Sequence, residues 1–171
     1  MENLADLLQS SGAVKFGDFT LTSGRKSSFY VDVKKASTKP AILALISKMM
    51  SEHIGEEKLL AGMELGAVPI VVGLALESGI PYVILRKGKR EHGTGKQIEG
   101  EYQAGQEVLI VEDVATTGGS IVKSADILRE AGLTVSRSLV VVDREEGATE
   151  ALTEVGIELI PLVRMSQIRR N

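Results

Sequence analysis

The chain has no cysteine and no tryptophan, and among 171 residues only two histidines and four prolines. Without cysteine there is no disulfide scaffold, no thiolate zinc site and no cysteine nucleophile. Two histidines are too few for a multi-histidine metal centre. Long apolar runs are missing as well. Ile70 to Leu76 and Leu139 to Val142 are typical, and none approaches the ~20 residues of a membrane span. The opening MENLADLLQS carries acids where a signal peptide carries Lys or Arg. The charge balance has no basic excess: the net charge is −3, against a general nucleic-acid-binding role. With no repeat and no linker-like tract, residues 1–171 are expected to form one domain of a soluble, cytoplasmic protein.

What is present suits a packed, turn-rich domain: 43% hydrophobic residues, 25% charged residues and 18 glycines. Asn3 to Ser11 has the spacing of a short amphipathic helix closed by Gly12. Phe19 and Leu21, then Phe29, Val31 and Val33, alternate with polar residues around a turn at Ser23 to Ser27, which predicts a β-hairpin. Ile42, Leu45, Ile46, Met49 and His53 follow at helical spacing, so His53 is read as a structural core residue. From Leu59 onward strand and helix alternate. Strands are expected at 59–62, 82–85, 107–111, 135–142 and 157–163, and helices at 70–76, near 121–128 and at 149–155. Short loops and continuous apolar strands predict a mainly parallel sheet covered by helices on both faces, an α/β fold. Arg86 to Gln106 breaks this rhythm. It is polar, rich in glycine, and of a length that usually serves function.

The chemistry concentrates at Val108 to Ser120, VLIVEDVATTGGS. A strand delivers Glu112 and Asp113 to its carboxyl end, and Thr116-Thr117-Gly118-Gly119-Ser120 leads into a helix. Ligands of open α/β sheets bind at such strand ends. Backbone N–H groups at a helix start, with the positive end of the helix dipole, make an anion pocket. Acids beside it repel phosphate but accept hydrogen bonds from sugar hydroxyls, so the pair of features describes a ribose 5-phosphate site. Thr116 or Ser120 acting only as a helix cap explains part of this order, not all of it. Neither G-x-x-x-x-G-K-[ST] nor G-x-G-x-x-G occurs.

VLIVEDVATTGGS resembles the phosphoribosyl-diphosphate (PRPP) signature of the type I phosphoribosyltransferases. Three more segments, in the same order along the chain, narrow the likeness to the orotate phosphoribosyltransferase family. FGDFTLTSGRKSSFYVD (Phe16 to Asp32) is similar to that family's N-terminal hairpin. RKGKREHGTG (Arg86 to Gly95) is similar to its mobile catalytic loop. Asp143-Arg144 after LVVV completes the pattern. The resemblance implies a type I phosphoribosyltransferase-like fold with a small N-terminal hood of helix and hairpin, about residues 1–35, and a mobile loop at about 86–106.

It also implies roles. Val114, Ala115, Thr116, Thr117, Gly118, Gly119 and Ser120 cradle the 5-phosphate of PRPP, and Glu112 and Asp113 hold the ribose hydroxyls. Arg86, Lys87, Arg90 and His92 bind the diphosphate leaving group, with Lys87, His92 and Asp113 as the catalytic set. In the family this loop reaches across a homodimer. Lys26, Tyr30, Thr116 and Arg144 bind orotate, although Arg144 has possible salt-bridge partners in Asp143, Glu145 and Glu146. Magnesium is expected to arrive with the diphosphate rather than in a protein cage. Thr22, Gly66 and Arg90 stand where some relatives carry Lys. The implied activity is transfer of ribose 5-phosphate from PRPP to orotate, without nucleic-acid or membrane partners. Two alternatives are a phosphoribosyltransferase for another base and a non-catalytic PRPP sensor. About fifteen residues precede the hairpin, too few for a helix-turn-helix.

Overall fold

A computed structural model describes residues 3–88, 92, 93 and 95–168. Helix α1 spans Leu4–Ser10; the Asn3 side chain accepts from the Asp6 N–H at 3.0 Å and caps its first turn. Strands β1 (Val14–Thr20) and β2 (Lys26–Val31) form a separate antiparallel hairpin. The strands are longer than the alternation indicated at one end and shorter at the other. Pairing runs Val14 with Val31 and Phe16 with Phe29, then shifts, so that Phe19 faces Ser27. This irregularity breaks the period of two from which the strand bounds were read, and it places Lys26 and Ser27 in β2 rather than in the turn.

A four-residue helix α2 (Lys34–Ser37) leads into α3 (Pro40–Ser51), which has Pro at its start and buries Ile42, Ile46 and Met50. His53 lies beyond the end of α3 and is exposed. Its spacing continues a helix that the chain has already left, so it is not a core residue.

The main sheet follows. Its strands are β3 (Leu59–Met63), β4 (Tyr82–Leu85), β5 (Ile98–Glu99), β6 (Glu107–Ala115), β7 (Thr134–Asp143) and β8 (Glu158–Arg164). They lie in the order β5-β4-β3-β6-β7-β8, parallel except for β5 at the edge. The segment read as a long polar loop therefore contributes one short edge strand. Helices α4 (Ala67–Ser78), α5 (Gly119–Glu130) and α6 (Ala148–Glu154) link successive parallel strands. Successive strand residues alternate between two cores. Leu60, Leu109, Val111 and Leu139 pack with α1, α3 and α4. Leu59, Ala61, Val108, Ile110 and Val140 pack with α5 and α6. Both faces being covered is why these strands read as unbroken apolar runs.

The strand order fixes where a ligand belongs. From β3 the chain moves outward to β4, and it later returns on the other side of β3 as β6. The carboxyl ends of β3 and β6 thus flank the topological switch point, where open α/β sheets place their ligands.

Candidate active site

Strand β6 runs four residues further than its apolar core, through Glu112 and Asp113 to Ala115. The two carboxyls lie close enough to interact with each other, and each also has partners of its own. Glu112 is 6% exposed and accepts from the Ser120 hydroxyl at 3.1 Å and from the Asp113 N–H at 3.0 Å. Burial, with Asp113 beside it, pushes its pKa from the usual carboxylate range up to about 8. Asp113 turns towards the end of β3. A Cβ at Gly66 would collide with its carboxylate, which explains why this position carries glycine rather than a longer side chain.

The loop after the acids wraps a cavity of about 160 Å³ lined by Val114 through Ile121. Gly118 sits at the helix start with φ +88°, and a Cβ there would stand 3.3 Å from Ala148 Cα. Both facts demand glycine. No side chain caps α5, so its first-turn N–H groups face the cavity without an internal side-chain acceptor. The same holds for α4 beyond the Glu64–Leu65–Gly66 loop. Two uncapped helix starts therefore lie on either side of Asp113, each suited to an anion.

The cationic loop leaves β4 at its carboxyl end. Arg86 pairs through Nε with Glu99 at 2.8 Å, which ties the base of the loop to β5. The Lys87 N–H donates to Glu64 Oε1 at 2.7 Å, and the Lys87 carbonyl accepts from Lys123 Nζ at 2.8 Å. These bonds pin the Lys87 backbone between the β3 loop and α5 at the rim of the site, while the residue itself is exposed. His92 is exposed too. Arg90 lies outside the described residues.

On the other side, the Arg144 N–H donates to the Ala115 carbonyl at 2.9 Å, which sets this residue next to Thr116. Its guanidinium is buried, lies 4.5 Å over the Phe29 ring and bonds Glu146 Oε1. Of the three acids considered as its partner, Glu146 is the one it meets. In β2 the half-buried Ser27, Phe29 and Val31 alternate with the exposed Lys26, Ser28 and Tyr30. Tyr30 and Lys26 are thus on the strand face opposite the Phe29–Arg144 contact. Tyr30 packs beside Phe19, with ring centroids 5.7 Å apart, and Lys26 donates to Thr20 Oγ1 at 2.8 Å.

The sequence reading missed Phe29 and Lys34 as site residues. Lys34 pairs with Asp32 at 2.9 Å. Its pKa is raised above the usual lysine value, chiefly by the hydrogen bond to Asp32, with the charges of Asp113 and Tyr30 adding to it. It thus links the hood electrostatically to the acid pair. The smaller contribution of Asp113 carried no signal in the sequence, because the fold brings it from a distant strand. Among the described residues, no three His, Asp or Glu side chains cluster as a metal site.

This geometry joins a phosphate-sized cavity and an acid pair at one switch point, with Lys87 at the rim. The phosphoribosyl transferase domain model matches residues 33–156. The chain is 50% identical to the orotate phosphoribosyltransferase of Pyrococcus furiosus, over 98% of this chain and 94% of that protein. It is 48% identical to the one from Thermoplasma acidophilum, over 99% and 98%. The crystal structure of orotate phosphoribosyltransferase from Aeropyrum pernix superposes with a TM-score of 0.87 at 37% identity, covering 97% of this chain and 96% of that one. The chain belongs to the orotate phosphoribosyltransferase family of phosphoribosyl transferase domains.

Proposed function

We propose that the protein transfers ribose 5-phosphate from PRPP to orotate, giving orotidine 5-phosphate and diphosphate in pyrimidine nucleotide synthesis. The observation that carries this reading is the acid pair Glu112–Asp113 set beside the cavity of residues 114–121 at the switch point. Ser120 and the open N–H groups of the α5 start take the 5-phosphate, and Asp113 accepts a ribose hydroxyl. The bond between the anomeric carbon and the diphosphate oxygen breaks as the orotate nitrogen bonds that carbon, and the proton of that nitrogen leaves with the diphosphate or to solvent. Positive charge builds on the sugar, and the Asp113 carboxylate beside it stabilises that charge. Lys87 and His92 neutralise the departing diphosphate, with Arg86 and Arg90 in the same loop. Arg144 and Thr116 meet the base. Lys26 and Tyr30 approach it only if the hood or a second subunit brings their strand face to a site.

Magnesium belongs to the substrate in this account, bound to the diphosphate oxygens that a hard cation prefers. The chain acts as one domain and as a homodimer, with the loop between β4 and β5 closing over a site of the partner to exclude water. Support for a dimer comes from Leu65, in the loop before α4, and Leu76, on α4, which stand 70% and 83% exposed. No helix among the described residues is long and apolar enough to cross a membrane.

The experiment is orotate consumption with PRPP and magnesium, run on wild type and Asp113→Asn. We expect wild-type turnover and a loss of about 10²–10³ in kcat/KM for the variant, with an unchanged melting profile. Equal turnover in both would remove the acid pair from the mechanism.

A further inference from the structure

Two arginine–glutamate pairs among the described residues, each with one buried member, are of opposite quality. Arg137 meets Glu57 as a fork, with Nε to Oε1 at 2.7 Å and Nη2 to Oε2 at 2.8 Å, so that both carboxylate oxygens are engaged. Glu57 is 2% exposed, and a Cβ at Gly55 would press on this guanidinium at 2.9 Å. This is a locked structural pair.

Arg144 is held differently. Its Nε and Nη2 converge on the single oxygen Oε1 of Glu146, at 3.3 and 3.1 Å. These are long for charge-assisted bonds. The Glu146 side chain keeps 26% of its surface in solvent, against 7% for Arg144. The arginine is the fixed member: its backbone is bonded to Ala115, and one face of its guanidinium lies on Phe29 at 4.5 Å. The glutamate is the movable one, two residues along the same loop. A fixed guanidinium edge, loosely covered by one oxygen of a partly solvated carboxylate, is an edge that a second carboxylate can take.

We propose that Glu146 is an internal competitor for orotate: it covers the in-plane edge of Arg144 that reads the carboxylate of the base, and the substrate displaces it. This rests on orotate being the substrate. Phe29 is the positioning residue, holding the guanidinium plane so that an incoming carboxylate meets two parallel donors. The arrangement makes the carboxylate the ticket of entry. A base without one has nothing to offer Arg144 in exchange for Glu146, so the site discriminates orotate from uracil by exchange as well as by fit.

The test is a kinetic split on the full-length protein. Glu146→Gln removes the competing charge and keeps the shape. The expected result is a KM for orotate lowered by about two- to fivefold, the span of a weak, partly solvated ion pair. The KM for PRPP and the inhibition constant of uracil, scored as a competing ligand, stay where they were. Phe29→Leu raises the KM for orotate, and Phe29→Tyr, which keeps an aromatic face, restores it; melting curves confirm that each variant folds. A KM for orotate that is unchanged or raised in Glu146→Gln overturns the proposal, because Glu146 then orients Arg144 rather than competing for it. An equal shift for uracil overturns it too, since the edge then does not read a carboxylate. Absence of wild-type turnover with orotate overturns the functional reading on which the proposal stands.

Discussion

Glu112 shows how burial converts a composition feature into a property of the site. Its carboxyl is held neutral into the region of pH 8 chiefly because it is desolvated, while the unfolded chain ionises near the ordinary carboxylate value. A folded pKa above the unfolded one means that the native state holds the extra proton between those values. Stability therefore falls as pH rises from about 4.5 to about 8. Glu112→Gln, which cannot ionise, should flatten that slope, and melting temperatures at pH 5, 6, 7 and 8 measure it. A wild-type slope that persists in the variant assigns it to other groups. Gly66 is the complementary case, where an absent side chain matters. The space that a longer residue would fill belongs to the Asp113 carboxylate, so any diphosphate contact there is made by backbone N–H groups.

At the scale of elements, the β6–loop–α5 unit carries the phosphate site, and Gly118 is its hinge point. Its left-handed backbone and its contact with Ala148 exclude a side chain. Gly118→Ala should cost about 1–3 kcal/mol of stability and weaken the thermal protection given by PRPP, both read from melting curves. Retained stability and protection would show that this turn is not what shapes the cavity. The legibility of elements followed their burial. Strand β4 matched its apolar run residue for residue, because Pro81 and Arg86 bound that run on either side. The hairpin did not, because both of its strands are half exposed and the pairing shifts between Phe16 and Phe19. The four residues of α2 and the two of β5 are too short for any periodicity. In the site, the acid pair and the glycine loop were legible because they are contiguous. Phe29 and Lys34 were not, since each acts on a residue that the fold brings from elsewhere; Gly66 and Glu146 were named from the sequence, and the fold decided what each of them meets.

For the whole molecule, the separation of parts is the main feature. The acid pair and phosphate cavity are built on the sheet, whereas Lys87 is exposed at the rim and Arg86 is engaged by Glu99. A site whose anion-binding cations come from a second copy should show complementation. Mixing Lys87→Ala with Asp113→Asn subunits should restore activity towards about a quarter of wild type, since random pairing makes half the dimers mixed and each then holds one intact site. No recovery in verified mixed dimers would place the loop over its own subunit's site.

The most direct measurement of the central claim is a base panel. Orotate, uracil, adenine, hypoxanthine and guanine are each incubated with PRPP and magnesium, and loss of the base is followed by its ultraviolet absorbance. The account predicts turnover with orotate and none of comparable rate with the others. Turnover of a purine or of uracil in place of orotate would contradict the assignment of Arg144 and the hood to an acidic base. PRPP binding without turnover of any base would contradict catalysis itself.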